Sequence, residues 1–339
     1  MLKKIVLAKI IICLFASIFF GSQVSLKIKS QRAKNREWKP LHVEKIFSLG
    51  IEDGLLRPLS VRVDKRGNIY IFDLGDTCVK KFTSDGKFIQ KFGKGRGQGP
   101  GEFINPTDYG IKNNGEVWIC DPVIGYITVF DIKGIPIETY RTNNPPMRLG
   151  LFSSNGFLVV PLFFVVPSFF MELSFEKYDA RGKLMSIFNL PIPWKKKSRS
   201  HLIMDGRLSV DDEDNIYYAF IRVGLLASFS QEGNLRYLVE TIDRTPPPEV
   251  IKFSGGVRID PKSPWTALSV NTVDSEIYIL SHIGSKNKKG MVLDVYSSFD
   301  GRYVYSYEIS QKCLYSYVTI DSIFTVEDGS VSKWKRYSD

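Results

Sequence analysis

The chain has 339 residues, 43% hydrophobic and 24% charged, with 27 glycines, 17 prolines and 4 cysteines. That balance excludes a disordered chain, a disulfide-stapled miniature domain and a multi-span membrane protein, and the length suffices for one large or two medium cores. The net charge of +10 is local: residues 1–25 carry +3, residues 26–45 carry +5, and +2 is left for everything after them. A nearly neutral body lacks the basic footprint of a nucleic-acid binder.

Met1-Leu-Lys-Lys4, followed by the largely apolar Ile5 to Phe20, has the charged start and apolar run of an export signal. Its uninterrupted part, Ile10 to Phe20, is 11 residues, short against the ~20 of a spanning helix. The following Gly21-Ser22-Gln23-Val24-Ser25 offers no clean small-x-small cleavage site, and Ile12 before Cys13 excludes a lipid-anchored cysteine. Residues 1–25 are therefore expected to be a signal peptide or membrane anchor, and residues 26–40 a basic linker suited to an anionic lipid surface. The expected location is extracytoplasmic: periplasm or cell surface, with possible anchoring to the inner membrane.

The body repeats. Pro58 recurs as Pro106, Gly67 as Gly115, Asp73 as Asp121, Phe82 as Phe130 and Gly86 as Gly134, each at an offset of 48 residues. A fixed period of this size marks a repeat architecture. Within the first unit, Leu59 to Asp64 alternates as a half-buried strand, Lys65-Arg-Gly-Asn68 is a turn and Ile69 to Asp73 a second strand. Val79 to Phe82 and Phe88 to Phe92 flank the hairpin turn Ser84-Asp-Gly-Lys87. Four antiparallel strands in ~45 residues make one propeller blade. Residues 46–339 accommodate about six such units, so the expected fold is all-β, a six-bladed propeller over residues 41–339. The last unit lacks a fourth strand, and His42 to Ser48 is expected to supply it, closing the ring and removing an open edge.

The run Gly93-Lys-Gly-Arg-Gly-Gln-Gly-Pro-Gly-Glu-Phe-Ile-Asn-Pro106, with Gly115-Glu-Val-Trp-Ile-Cys-Asp121 and Ile127-Thr-Val-Phe-Asp131, resembles an NHL repeat. More broadly the chain is similar to bacterial six-bladed, TolB-like propellers. The resemblance is good over 58–141, weaker to 240 and only architectural beyond. It implies a scaffold that mostly binds proteins, RNA or ligands and in a minority of cases is a lyase, so it narrows the fold more than the chemistry.

In a propeller, the loops before each first strand and those between second and third strands share one face. That face receives Lys94 and Arg96, the run Trp194-Lys195-Lys196-Lys197-Ser198-Arg199, and Lys286 to Lys289. A basic face on a neutral ring attracts an anionic partner, although lysine-rich loops also simply keep a protein soluble. The same face receives Phe163, Phe164, Phe169 and Phe170 around Pro167-Ser168: an interaction patch if exposed, core if blade three has long strands.

Catalytic chemistry is hard to assemble. The glycine run 95–101 precedes a proline and a strand, not a helix, and so fails as a phosphate loop. Asp73 and Asp121 align with Pro161, Phe220 and Ser281 in later blades, so no carboxylate ring for Ca²⁺ forms; they are expected to cap their own loops. The three histidines, His42, His201 and His282, do not converge. Cys78, Cys120 and Cys313 are expected to be buried free thiols. The expected function is thus a binding module, not an enzyme. It would act through Arg96, Phe163, Phe164, Phe169, Phe170, Trp194, Lys195, Lys196, Lys197 and His201, with a protein or an anionic ligand as partner and no cofactor, metal or nucleic acid. The alternative is a metal-dependent hydrolase or lyase at the channel mouth, with His201, Asp205 or Asn105 as ligands.

Overall fold

The computed structural model describes residues 28–161, 173–190, 192, 201–254, 256–281, 291–309 and 311–337. The export or anchor segment expected over 1–25 lies outside them. Two short strands come first, β1 (Trp38–Lys39) and β2 (Val43–Leu49). Blade one is β3 (Pro58–Val63), β4 (Ile69–Asp73), β5 (Cys78–Phe82) and β6 (Phe88–Phe92). Blade two is β7 (Asp108–Ile111), β8 (Val117–Asp121), β9 (Tyr126–Phe130) and β10 (Pro136–Arg141). Blade three comprises β11 (Pro146–Leu151), β12 (Phe157–Pro161), β13 (Leu173–Tyr178) and β14 (Leu184–Leu190); blade four comprises β15 (Gly206–Val210), β16 (Ile216–Phe220), β17 (Leu225–Phe229) and β18 (Leu235–Glu240). A hairpin, β19 (Val250–Phe253) and β20 (Gly256–Ile259), leads to blade five: β21 (Ala267–Val273), β22 (Glu276–Ser281), β23 (Val292–Ser297) and β24 (Tyr303–Glu308). Blade six is β25 (Tyr315–Val318), β26 (Ser322–Val326) and β27 (Val331–Arg336), completed by β2.

Closure is as the sequence predicts. β2 pairs antiparallel with β27, from Val43 opposite Arg336 to Leu49 opposite Val331. Each second strand is buried on both faces, which is why Ile69–Asp73 and Val117–Asp121 read as continuous apolar runs ending in aspartate. Six apolar clusters fill the six wedges, one between each pair of neighbouring blades, including one joining blade six to blade one through Tyr315, Phe324, Val61 and Ile71. The ring is therefore held by sheet-on-sheet packing between blades, since among the described residues no backbone ladder links one blade to the next.

Polar side chains of the inner strands knit the channel wall. Asn271 on β21 mimics a strand partner, donating from Nδ2 to the Val318 carbonyl at 2.9 Å and accepting from the Val318 amide at 3.1 Å. Glycine allows the inner strands to approach: a Cβ at Gly150 would stand 2.7 Å from Cγ2 of Val210.

The basic segment expected as a linker over 26–40 is, from residue 28 on, a strap across blades four and five. Lys29 bridges in parallel to Val239 of β18, and β1 adds in parallel to β24 as a fifth strand. Gln31 donates to the carbonyls of Glu240 and Gly301 and accepts the Tyr303 amide. Arg36 inserts between blades, with Nε and Nη2 on the two oxygens of Asp294 at 2.8 Å and Nη2 also on Asp243 at 2.6 Å. Its charge is neutralised by protein carboxylates, so Arg36 is a structural cation. The reason is in the ring: Asp294 is buried among apolar strands and needs a partner. Burial pushes its carboxyl up, against the pull of Arg36.

Candidate functional site

The two Asp-ended second strands behave as expected. Asp73 accepts the amides of Leu56 (2.8 Å), Arg57 (2.7 Å) and Gly75 (3.0 Å), together with Lys80 Nζ at 2.8 Å. Burial alone would raise its carboxyl, but Lys80 and the two upstream amides outweigh that and hold it below the ordinary range. Asp121 accepts the amides of Ile104 and Asn105 upstream and Val123 downstream. Both are latches that pin the connection entering their blade. Cys78 and Cys120 are free and buried, Cys313 is buried as well, and burial pushes each thiol up to about 12.

At the end of the ring that carries the loops before the first strands, a cavity of about 490 Å³ opens between blades three, four and five. Inner strands β11 and β15 bring Arg148 and Arg207 to its floor. The helix α1 (His201–Met204) and the residue after it bring Leu202 and Asp205, while the turn after β16 brings Ile221 and Arg222. The hairpin β19–β20 and the chain after it contribute Arg258, Ile259 and Trp265. Val160 and Pro161 at the end of β12 complete an apolar side, and Tyr218 stands behind the floor with its hydroxyl donating to the Met204 carbonyl at 2.8 Å. Gly206 is required here, because a Cβ at that position would meet the Tyr218 ring at 2.3 Å.

Among the described residues, charge in this cavity is unbalanced: four guanidiniums face one carboxylate. Arg148 takes the carboxylate. Its Nη2 donates to Asp205 at 2.7 Å and its Nε to the Gly206 carbonyl at 2.8 Å. Burial alone would lower Arg148, but Asp205 and then Asp108 overcome this and raise it. Asp108, a neighbouring carboxylate, is held by Arg62 at 2.8 Å and by the amides of Tyr109 and Leu149. Arg207 is left over. Its Nε is closed off from solvent and has no hydrogen-bond partner among the described residues. Burial, reinforced by the neighbouring Arg148 cation, lowers Arg207 from its ordinary value. Arg222 lies over the Trp265 ring, 4.2 Å from its centroid, and donates to the Ser263 carbonyl at 3.3 Å. Burial lowers it too.

The opposite mouth of the channel is different. It forms a cavity of about 440 Å³ rimmed by the turns between first and second strands. Its carboxylates are satisfied locally. Asp64 accepts the amides of Arg66 and Asn68 and the Tyr70 hydroxyl, and Asp211 repeats this with Glu213, Asn215 and Tyr217. Lys65 pairs with Asp212 at 3.0 Å.

Of the residues expected to bind, Phe163, Phe164, Phe169, Phe170, Trp194, Lys195, Lys196 and Lys197 lie outside the described residues. His201 begins the helix α1. Arg96 is exposed in the connection between blades one and two, bridging to Phe103, and does not line the cavity. As to the alternative metal site, Asp205 lines the cavity but is engaged by Arg148, and Asn105 is exposed with its amide on Asp121. Two guanidiniums beside Asp205 repel a divalent cation, and among the described residues no group of three His, Cys, Asp or Glu is gathered for a metal.

Sequence reasoning missed the cavity's arginines. A signal for the floor was present: in Val61-Arg62-Val63, Met147-Arg148-Leu149 and Gly206-Arg207-Leu208 an arginine interrupts a first strand between nonpolar neighbours, and period-2 alternation then turns it toward the channel. Arg222, in the turn after β16, has no strand alternation to place it, and Arg258 and Trp265 come from the hairpin between blades four and five and the chain after it, which fall outside the 48-residue period.

Comparison with known proteins gives the same architecture. Residues 54–148 match the family DUF5128, described as a 6-bladed beta-propeller. No curated protein matches the sequence. A protein from Bacteroides fragilis described as exported is similar at a TM-score of 0.59 and 10% identity, over 93% of this chain and 100% of that one. Virginiamycin B lyase from Staphylococcus aureus is similar at a TM-score of 0.53 and 12% identity, over 87% and 99%. A streptogramin B lyase gives 0.50 and 13%, over 83% and 79%. At such identities the likeness is one of fold, and what it establishes is that this chain is a six-bladed β-propeller.

Proposed function

We propose that this protein is an exported or membrane-tethered propeller that binds an anionic ligand on its loop face and does not transform it. The observation that carries this reading is the charge imbalance of the cavity between blades three, four and five, above all the uncompensated guanidinium of Arg207 that lines it. A buried cation without a counterion is a standing expense to the fold that a bound anion removes. Export is supported by the charged and apolar start of the sequence and by the Bacteroides fragilis neighbour described as exported. The loop residues Phe163 to Phe170 and Trp194 to Lys197 belong to this proposal through chain connectivity. The first stretch follows the lining residue Pro161 closely, and the second precedes Leu202. Arg96, exposed on the blade one to two connection, belongs to this proposal as part of the same basic loop face.

The test is a charge series of equal size. Benzoate, benzamide and benzamidine are compared by equilibrium dialysis against the full chain and its Arg222→Glu/Arg258→Glu variant. Benzoate is expected to bind best, and to lose that preference in the variant. Equal binding of all three by the wild-type protein refutes an anion site.

A further inference from the structure

We infer that the ligand is an amphiphilic organic acid, with one anionic head seated on Arg207 and an apolar body lying along the outer wall of the cavity. This rests on the anion-binding reading above and deepens it. The cavity carries two chemistries. Its floor is polar and cationic: Arg148 is committed to Asp205 and the Gly206 carbonyl, which leaves the Arg207 guanidinium as the group with donors to spare. A guanidinium presents donors in a fixed fork that matches one carboxylate, so a single head satisfies it. Beside it the lining carries apolar groups, Val160 and Pro161 at the end of β12, Leu202 and Ile221 from blade four, and Ile259 with Trp265 from the hairpin and the chain after it, while Arg222 lies over the Trp265 ring and Arg258 stands exposed at the rim.

A small inorganic anion would meet Arg207 and leave these walls wetted. An uncharged apolar molecule would cover the walls and leave the guanidinium unmatched. Only a molecule carrying both parts removes both penalties. The volume of about 490 Å³ lies within the ordinary range of small-ligand sites. The other end of the channel lacks this combination: polar turn residues make up most of its described lining, its carboxylates are held by their own turns, and of its cations Lys65 pairs with Asp212 while Lys112 donates to the carbonyls of Phe152 and Gly156. An uncompensated guanidinium beside apolar walls at one mouth therefore gives the propeller an oriented seat.

The experiment uses the full chain and three probes: decanoate, which has head and body; 1-decanol, which has the body; and acetate, which has the head. Isothermal titration calorimetry is expected to find decanoate at least about tenfold tighter than decanol, the usual worth of a charge-assisted hydrogen bond. It should be at least about a hundredfold tighter than acetate, from burial of the chain. In Arg207→Met the decanoate affinity should fall about tenfold while decanol stays unchanged, with a thermal midpoint at or above wild type showing that the ring is intact. Decanoate binding that survives Arg207→Met overturns the assignment of the head group. Acetate as tight as decanoate overturns the apolar body while leaving the anion site standing. Failure of both anions to bind overturns the inference and the reading beneath it.

Discussion

Two neighbouring arginines on the cavity floor should respond to the same substitution with opposite signs. Arg207→Met removes a guanidinium whose Nε is shut away from solvent without a partner, and replaces it with a flexible thioether of comparable length. An unsatisfied buried donor costs about 1–3 kcal/mol, and the rest of this guanidinium faces the cavity and keeps part of its hydration, so the lower half of that range applies. The small attraction of Arg207 to Asp205 and Asp108 is forfeited, but those carboxylates are already bonded to Arg148 and Arg62. The net is a stabilisation of about 1–2 kcal/mol. In a ring of this size that raises the thermal midpoint by roughly 2–4 °C. Arg148→Met does the reverse. It strips Asp205 of its partner at 2.7 Å and leaves the Gly206 carbonyl without its donor at 2.8 Å, a loss of about 3–5 kcal/mol. Differential scanning calorimetry of both variants without ligand is the assay. A midpoint that falls in Arg207→Met by as much as in Arg148→Met would falsify the claim that Arg207 is uncompensated, and with it the reason for an anion to bind.

Other consequences are equally direct. Arg36→Ala leaves Asp294 buried without its charge partner and should destabilise the ring by about 3–5 kcal/mol; deleting residues 28–39 should do at least as much, and a denaturation midpoint unmoved by either would show the strap to be incidental. Because Asp73 is held below the ordinary carboxylate range, its contribution is present above about pH 4 and lost as the pH falls through its lowered value. Asp73→Asn should therefore be less stable than wild type at neutral pH and converge with it in acid; a difference constant from pH 7 to 3 contradicts the latch. The thiols of Cys78, Cys120 and Cys313, pushed up to about 12, should resist iodoacetamide in the native state at pH 8 and label fully in denaturant, as read by peptide mass spectrometry. Gly206→Ala should displace the Tyr218 ring and weaken decanoate binding without touching any charge; an unchanged affinity would place the ligand away from that wall.

The ring was legible in the chain because its elements are local. A 48-residue period, Asp-Gly and Gly-Asn turns, and the doubled latch of Asp73 and Asp121 each depend on residues within one unit, so blade architecture, ring closure by the first long strand and the capping role of both aspartates follow from the sequence itself. What lies between units obeyed no period. The strap over blades four and five looked like a linker because its cations are conspicuous in sequence, whereas Asp294 and Asp243, which neutralise Arg36, are more than 200 residues away. The cavity has the same origin. Arg148, Arg207, Arg222 and Arg258 come from different strands and turns, and only the curvature of the ring brings them to one mouth. Charge composition fixes how many cations a chain carries. Which of them is left without a partner is decided by packing, since pairing depends on distances of a few ångströms between residues that sequence separates by whole blades.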